Sequence, residues 1–197
     1  TFKMGLKTGK YTLSVGAMDT KGGKGSLASQ TLEVPDFSQI ETAADGTAHP
    51  VASASSLVLI RSFEQLPMGA PADPSHPFAA FTFGDMRATP YFGSTFRTAD
   101  PVSIFYQVYD LTPGPASDPA APPVAKGRAL VRILMDGKTE VARANWKQIE
   151  TTVDGDLIGP ISLAGYKPGR YQVELTLIDR NAADRTLKQG TWFEVVP

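Results

Sequence analysis

The chain has no cysteine, which removes disulfides, thiolate metal sites and cysteine nucleophiles together. It has two histidines, His49 and His76, each followed by a proline in loop-like sequence. A Ser-His-Asp arrangement needs a histidine held by a fold element, and a two-histidine metal site needs both on one element. These two read instead as surface residues. Long apolar runs are missing, since nothing approaches the ~18 residues of a membrane span. Charge of one sign is missing as well: 19 Lys and Arg stand against 20 Asp and Glu, for a net charge of −1. There is no clustered basic field to hold a nucleic-acid backbone. Lys21-Gly22-Gly23-Lys24-Gly25 has glycines, but no Gly-Lys-Ser/Thr ending and no following helix, so it is no phosphate loop. No stretch carries a three-turn amphipathic helical pattern, and no secretory leader is visible. Thr1 falls inside a strand-and-turn pattern, and the sequence reads as a piece of a longer protein.

What is present is a repeat. Gly5-Leu6-Lys7-Thr8-Gly9-Lys10-Tyr11-Thr12-Leu13-Ser14-Val15 returns as Gly165-Tyr166-Lys167-Pro168-Gly169-Arg170-Tyr171-Gln172-Val173-Glu174-Leu175. Each copy runs on to an aspartate, Asp19 and Asp179, and each closes with Glu-Val before a proline, at Glu33-Val34 and Glu194-Val195. Residues 10–17 alternate between Tyr11, Leu13, Val15, Ala17 and a polar set, the period of a half-buried strand. Residues 27–34 form the return strand. Leu57 to Phe63, Phe78 to Phe83, Thr139 to Arg143, Gln148 to Val153, Leu157 to Leu163, Arg170 to Ile178 and Leu187 to Val195 complete a set of short strands with Val102 to Asp110 and Ala129 to Met135. Val102, Ile104, Tyr106 and Val108 face one way, and Phe105 and Tyr109 the other, so this strand should be covered on both sides. Asp136-Gly137 signals a type I′ hairpin turn. Strands at this spacing, punctuated by Gly, Pro and Asp, predict an all-β fold: an immunoglobulin-like antiparallel β-sandwich, preceded by a β-hairpin from a truncated first copy.

The domain organisation follows. Residues 1–35 read as the C-terminal hairpin of a preceding β-sandwich domain, 36–56 as an Ala, Ser and Thr-rich linker, and 57–197 as the sandwich. In the repeated motif, Gly9 and Gly169 supply a backbone conformation that is costly with a side chain. Tyr11 and Tyr171 then turn their rings into the core and reach a backbone group near the turn just left. This is the tyrosine-corner device at the entry to the penultimate strand. The alternative reading is a plain hairpin start.

The segments Tyr11-x-Leu13-x-Val15-x-x-x-Asp19 and Ser29-Gln30-Thr31-Leu32-Glu33-Val34-Pro35-Asp36, followed by Leu57-Val58-Leu59-Ile60, resemble the C-terminal β-sandwich region of bacterial von Willebrand factor A-related envelope proteins. The resemblance covers the first third of the chain and extends more loosely to Gly169-x-Tyr171 and Glu194-Val195. It implies a secreted, periplasmic or cell-surface location and a non-catalytic module. The von Willebrand A domain's metal-binding Asp-x-Ser-x-Ser is not in this sequence, so its metal chemistry is not implied.

The chemistry-bearing residues are few. Asp154-Gly155-Asp156 could lend oxygens to calcium or be an ordinary solvated turn. Asp19 and Asp179 each cap the loop that follows. Trp146, Trp192, Tyr91, Phe92, Phe96, Phe105, Tyr106 and Tyr109 divide between core packing and an exposed carbohydrate-binding face. Trp146 is the ring most expected to be exposed, and with Arg143 and Lys147 it forms a candidate partner contact. No general acid, base and nucleophile set emerges, and no cofactor, metal or catalytic residue is assigned. The expectation is a non-catalytic binding or spacer module of a larger protein, making contacts with other protein domains through the Pro-rich loop 112–124 or the loop 64–77. The alternatives are a carbohydrate-binding module and an accessory domain of an enzyme.

Overall fold

The computed structural model describes residues 5–36, 38–42, 46, 48–67, 75–83, 85–114 and 124–197. The chain divides into two compact units, Thr1–Ile40 and Glu41–Pro197. The first unit is a hairpin. Its strands β1 (Gly9–Met18) and β2 (Gly25–Val34) pair antiparallel from Gly9↔Val34 to Met18↔Gly25. The turn closes where the Asp19 N–H donates to the Lys24 carbonyl at 2.8 Å.

The second unit is an all-β sandwich. It opens with a small ribbon of β3 (Ile40–Thr42) and β4 (Ala48–Pro50), then β5 (Ser53–Ala54) and β6 (Val58–Gln65). Next come β7 (Thr82–Phe83), β8 (Met86–Pro90), β9 (Thr95–Arg97) and β10 (Pro101–Tyr109). The remaining strands are β11 (Gly127–Met135), β12 (Thr139–Arg143), β13 (Lys147–Ile149), β14 (Asp154–Ser162), β15 (Gly169–Asp179) and β16 (Arg185–Val196). One sheet has the order β14-β10-β6-β8-β7, with β5 also on β10. The other has the order β12-β11-β15-β16-β9, with β13 also on β11. Among the described residues of these two sheets, every pairing is antiparallel except β9 with β16. Consecutive strands change sheets after β8, β9, β10, β13 and β14, so the chain crosses repeatedly between the two layers, as in an immunoglobulin-like sandwich.

Alternation in the sequence explains the core. Val102, Ile104, Tyr106 and Val108 of β10 face Val131 and Ile133 of β11 and Val173, Leu175 and Leu177 of β15, in one buried cluster. The opposite face of β10 is also covered. Phe105, Ile60 and Ala88 form a second small cluster, with Phe81 standing edge-on to Phe105 at 5.9 Å. The cover comes from a single 3₁₀ turn, Ala79–Phe81. Phe78 to Phe83 is therefore this turn followed by two strand residues, not one strand. The Phe81 N–H closes back on the Phe78 carbonyl at 2.9 Å, which tightens the backbone out of an extended path.

Two boundaries also differ from the sequence expectation. The second unit begins at Glu41, so most of the expected linker 36–56 is folded into it. Ala52 is buried, and β5 pairs with the end of β10 through Val108↔Ala54 and Tyr109↔Ser53. Ser55 ties in further, its N–H donating to Gln107 O at 2.8 Å while its hydroxyl accepts from Gln107 N. Small residues can lie flush against a sheet edge without any apolar alternation. His49 likewise sits in β4 and is buried, with Nδ1 on Pro50 O at 2.9 Å, so it is not a surface histidine.

Candidate functional site

The tyrosine motifs have the same local geometry in both units. Tyr171 Oη donates to Lys167 O at 2.7 Å, and Tyr11 Oη donates to Lys7 O at 2.8 Å. Gly169 and Gly9 have φ of 154° and 149°, a region that side chains avoid. In the sandwich the Tyr171 ring is buried, stacked on Phe193 at 5.5 Å and packed by Tyr166 at 5.2 Å. Phe96 stands edge-on to Phe193 at 5.6 Å and so ties β9 to the same cluster.

At the far end of β15, Asp179 is 1% exposed and holds two loops. Its Oδ2 accepts from the Thr112 N–H at 2.9 Å and from the Thr112 hydroxyl at 2.8 Å, and its Oδ1 accepts from Asn181 N–H at 3.2 Å. Asn181 Nδ2 donates back to Thr112 O at 2.9 Å. Gly114 N–H donates to Val124 O at 3.0 Å, and Pro113 bridges Ala125. The base of the Pro-rich loop 112–124 is thereby clamped to the turn after β15. Residues 115–123 of that loop, with Pro115, Pro119, Pro122 and Pro123, lie outside the described residues, as do 68–74 of the loop 64–77. Asp179 does cap its own following loop, but its bonds to Thr112, 67 residues away, have no local sequence signal.

Beside this clamp, the turn Ala182–Arg185 closes with Arg185 N–H on Ala182 O at 3.0 Å, and Ala183 and Asp184 have φ of 51° and 56°. This is the backbone of a type I′ turn built without glycine, which costs about 1–2 kcal/mol per residue. The turn lines a cavity of about 260 Å³ with Glu41, Thr42, His49 and Asn181. Glu41 is ion-paired with Arg185, and its Oε1 is buried without a hydrogen-bond partner. An apolar crevice of about 160 Å³ opens between β12 and β14, lined by residues that include Val131, Ile133, Ile158 and Ile161.

Trp146, Arg143 and Lys147 do not converge. Lys147 opposes Ala129, whose side chain is core, and its Nζ reaches the other sheet, meeting Asp154 Oδ1 at 3.1 Å and Gly155 O at 2.5 Å. An ammonium thus occupies the carboxylate considered for calcium, while Asp156 Oδ1 accepts from its neighbour Leu157 N–H. Burial, with Asp156 and Asp154 nearby, raises the Tyr106 hydroxyl well above its usual range and keeps it protonated. Among the described residues no three His, Asp or Glu side chains come together as a metal set.

Arg143 makes a forked pair with Glu140 at 2.9 and 2.8 Å. Glu140 is held below the usual carboxylate range, chiefly by that hydrogen bond. From Glu140 the charges continue to Arg132, Glu174 and Lys188, across β12, β11, β15 and β16. Trp146 is 37% exposed, with the Arg128 guanidinium 4.5 Å over its ring, and Arg170 lies 4.1 Å over the half-buried Trp192. One face of each indole is therefore taken by a cation. Tyr91 and Phe96 pack together at 4.7 Å, whereas Phe92 is 85% exposed.

Among the described residues no helix is long and apolar enough to cross a membrane. Compared with known proteins, the chain matches no family model and no curated relative.

Proposed function

We propose that the chain is a non-catalytic binding and spacer module of a larger secreted or envelope protein, holding protein partners through the loops at one end of its sandwich. The observation that carries this reading is the Asp179 clamp. A buried carboxylate ordering two loop bases at once presents those loops on a rigid scaffold, the usual arrangement of a binding surface on a sandwich. Several acids among the described residues are engaged in holding the fold: Asp179 holds Thr112, Asp154 holds Lys147, and Glu140 and Glu174 sit in the ion-pair ladder. The resemblance to von Willebrand factor A-related envelope proteins supports the location.

The test is photo-crosslinking in the native envelope from a probe at Ser117 in the Pro-rich loop, with a probe at Lys188 on the sheet face as control. Protein adducts from Ser117 and none from Lys188 are expected. Equal labelling at both positions, or adducts only from Lys188, would move the binding surface elsewhere. A carbohydrate-binding reading draws on the exposed Trp146, but a sugar would have to share that ring with Arg128. Quenching of tryptophan fluorescence by a soluble glucan, abolished by Trp146→Ala, is what that reading requires.

A further inference from the structure

The hairpin of the first unit has one apolar face and one polar face. Lys10 opposite Glu33, Thr12 opposite Thr31 and Ser14 opposite Ser29 make the polar face, with Ser14 and Ser29 hydroxyls 2.8 Å apart. Tyr11 opposite Leu32, Leu13 opposite Gln30 and Val15 opposite Ala28 make the apolar one. On that face Leu13 is 39% exposed, Leu32 41% and Val15 59%. In the second unit the matching positions are Tyr171, Phe193, Val173 and Leu175, each no more than 1% exposed. They are covered by β10 and its sheet, while β15 is flanked by β11 and β16 by β9. Among the described residues β1 and β2 pair only with each other.

The repeat therefore says what should cover the exposed face. We infer that β1–β2 is the last strand pair of a second immunoglobulin-like sandwich, and that it docks through Tyr11, Leu13, Val15 and Leu32 onto the body of that sandwich, contributed by the same polypeptide ahead of the hairpin. Order supports this placement, because in the second unit the body precedes its closing hairpin. Occupancy supports it too: the body of the second unit already holds β15–β16 in the corresponding place. A hairpin alone is marginal in water, and free strand edges recruit other strands, so a preceding sandwich body would supply both cover and pairing. The inference deepens the spacer reading by making the chain part of a string of sandwiches. It does not depend on which loop binds a partner, so crosslinking at Ser117 can fail without touching it.

Hydrogen exchange read by mass spectrometry tests it, on this 197-residue chain and on the natural polypeptide extended on its N-terminal side. In the shorter chain, amides of β1 and β2 should exchange about 100-fold or more faster than those of β15. In the longer polypeptide they should slow by at least about 100-fold. There, Val15→Asp should remove the gain and Ser29→Asp, on the polar face, should leave it. Four results would overturn the inference. The first is slow exchange in the shorter chain whatever its concentration. The second is protection that rises with concentration, which points to a second copy. The third is no gain in the longer polypeptide, or a gain that Val15→Asp spares. The fourth is a natural polypeptide with no set of strands preceding the hairpin.

Discussion

The hairpins β1–β2 and β15–β16 carry the same corner, with a glycine near φ 150°, a tyrosine two residues on and a hydroxyl bonded four residues back. Beyond the corner they part. In β15 the alternation Tyr171, Val173, Leu175, Leu177 is sealed in the core, whereas in β1 the alternation Tyr11, Leu13, Val15 faces outward from its own unit. The terminal aspartates diverge in the same way. Asp19 accepts only from its own turn, at Lys21 N–H, 2.9 Å, while Asp179 reaches across to Thr112. A local motif can thus build the same bend twice, and only the presence of a facing sheet turns that bend into stability.

The strongest way to break this comparison is to remove each ring. Tyr171→Ala should destabilise the second unit by about 3–5 kcal/mol, as for other large buried aromatics. Tyr11→Ala should change it by less than about 0.5 kcal/mol. Both tryptophans lie in the second unit, so urea unfolding followed by tryptophan fluorescence reads that unit selectively. Equal losses from the two variants would undo the contrast.

The aspartates come next. Asp179→Ala strands the buried Thr112 N–H and hydroxyl and should cost about 2–4 kcal/mol. Amide exchange at Thr112 and Gly114 should quicken as the loop base loosens. Asp19→Ala should leave the unfolding of the second unit unmoved and affect only the amides of its own turn, Lys21 and Gly22. Smaller again is Gly169→Ala. A Cβ there would meet only Met135 Cε at 3.7 Å, so the cost is backbone strain of about 1–3 kcal/mol, visible as a lowered urea midpoint with an unchanged slope.

The smallest effect is in pH. N–H groups of Gly22 and Lys21 hold the Asp19 carboxyl below the usual range. Its contribution to the turn is therefore complete above the unfolded value of about 3.9 and is lost as pH falls through the lower folded value. The Lys21 amide resonance should stay fixed from neutral pH down to about 4 and shift only below it. A midpoint at or above the unfolded value would show that the turn does not favour the charged form.

Much of the fold was legible because strands of eight or more residues announce themselves by period two. The stretches Val102 to Asp110, Arg170 to Ile178 and Leu187 to Val195 all fall within observed strands to within a residue or two. Asp136-Gly137 carries the two positive φ values, 52° and 68°, that its turn type requires. Ala48–Pro50 and Ser53–Ala54 were illegible because strands of two or three small residues have no period to detect. The candidate contact built on Trp146, Arg143 and Lys147 came from adjacency along the chain. Arg143 ends β12 and Lys147 begins β13, with Trp146 in the connection between them, so Lys147 is drawn inward to Asp154 while Trp146 stays under Arg128.

Alternation, turn chemistry and the repeated glycine–tyrosine corner determined the class of fold and the paired hairpins, because each depends on residues a few positions apart. The closing of loop 112–124 by Asp179, the cover of Phe105 by Phe81 and the pairing of Lys147 with Asp154 were decided only in three dimensions. Each joins elements whose separation along the chain leaves no local trace, and each exists because a buried polar or aromatic group must find a partner among whatever the fold brings near.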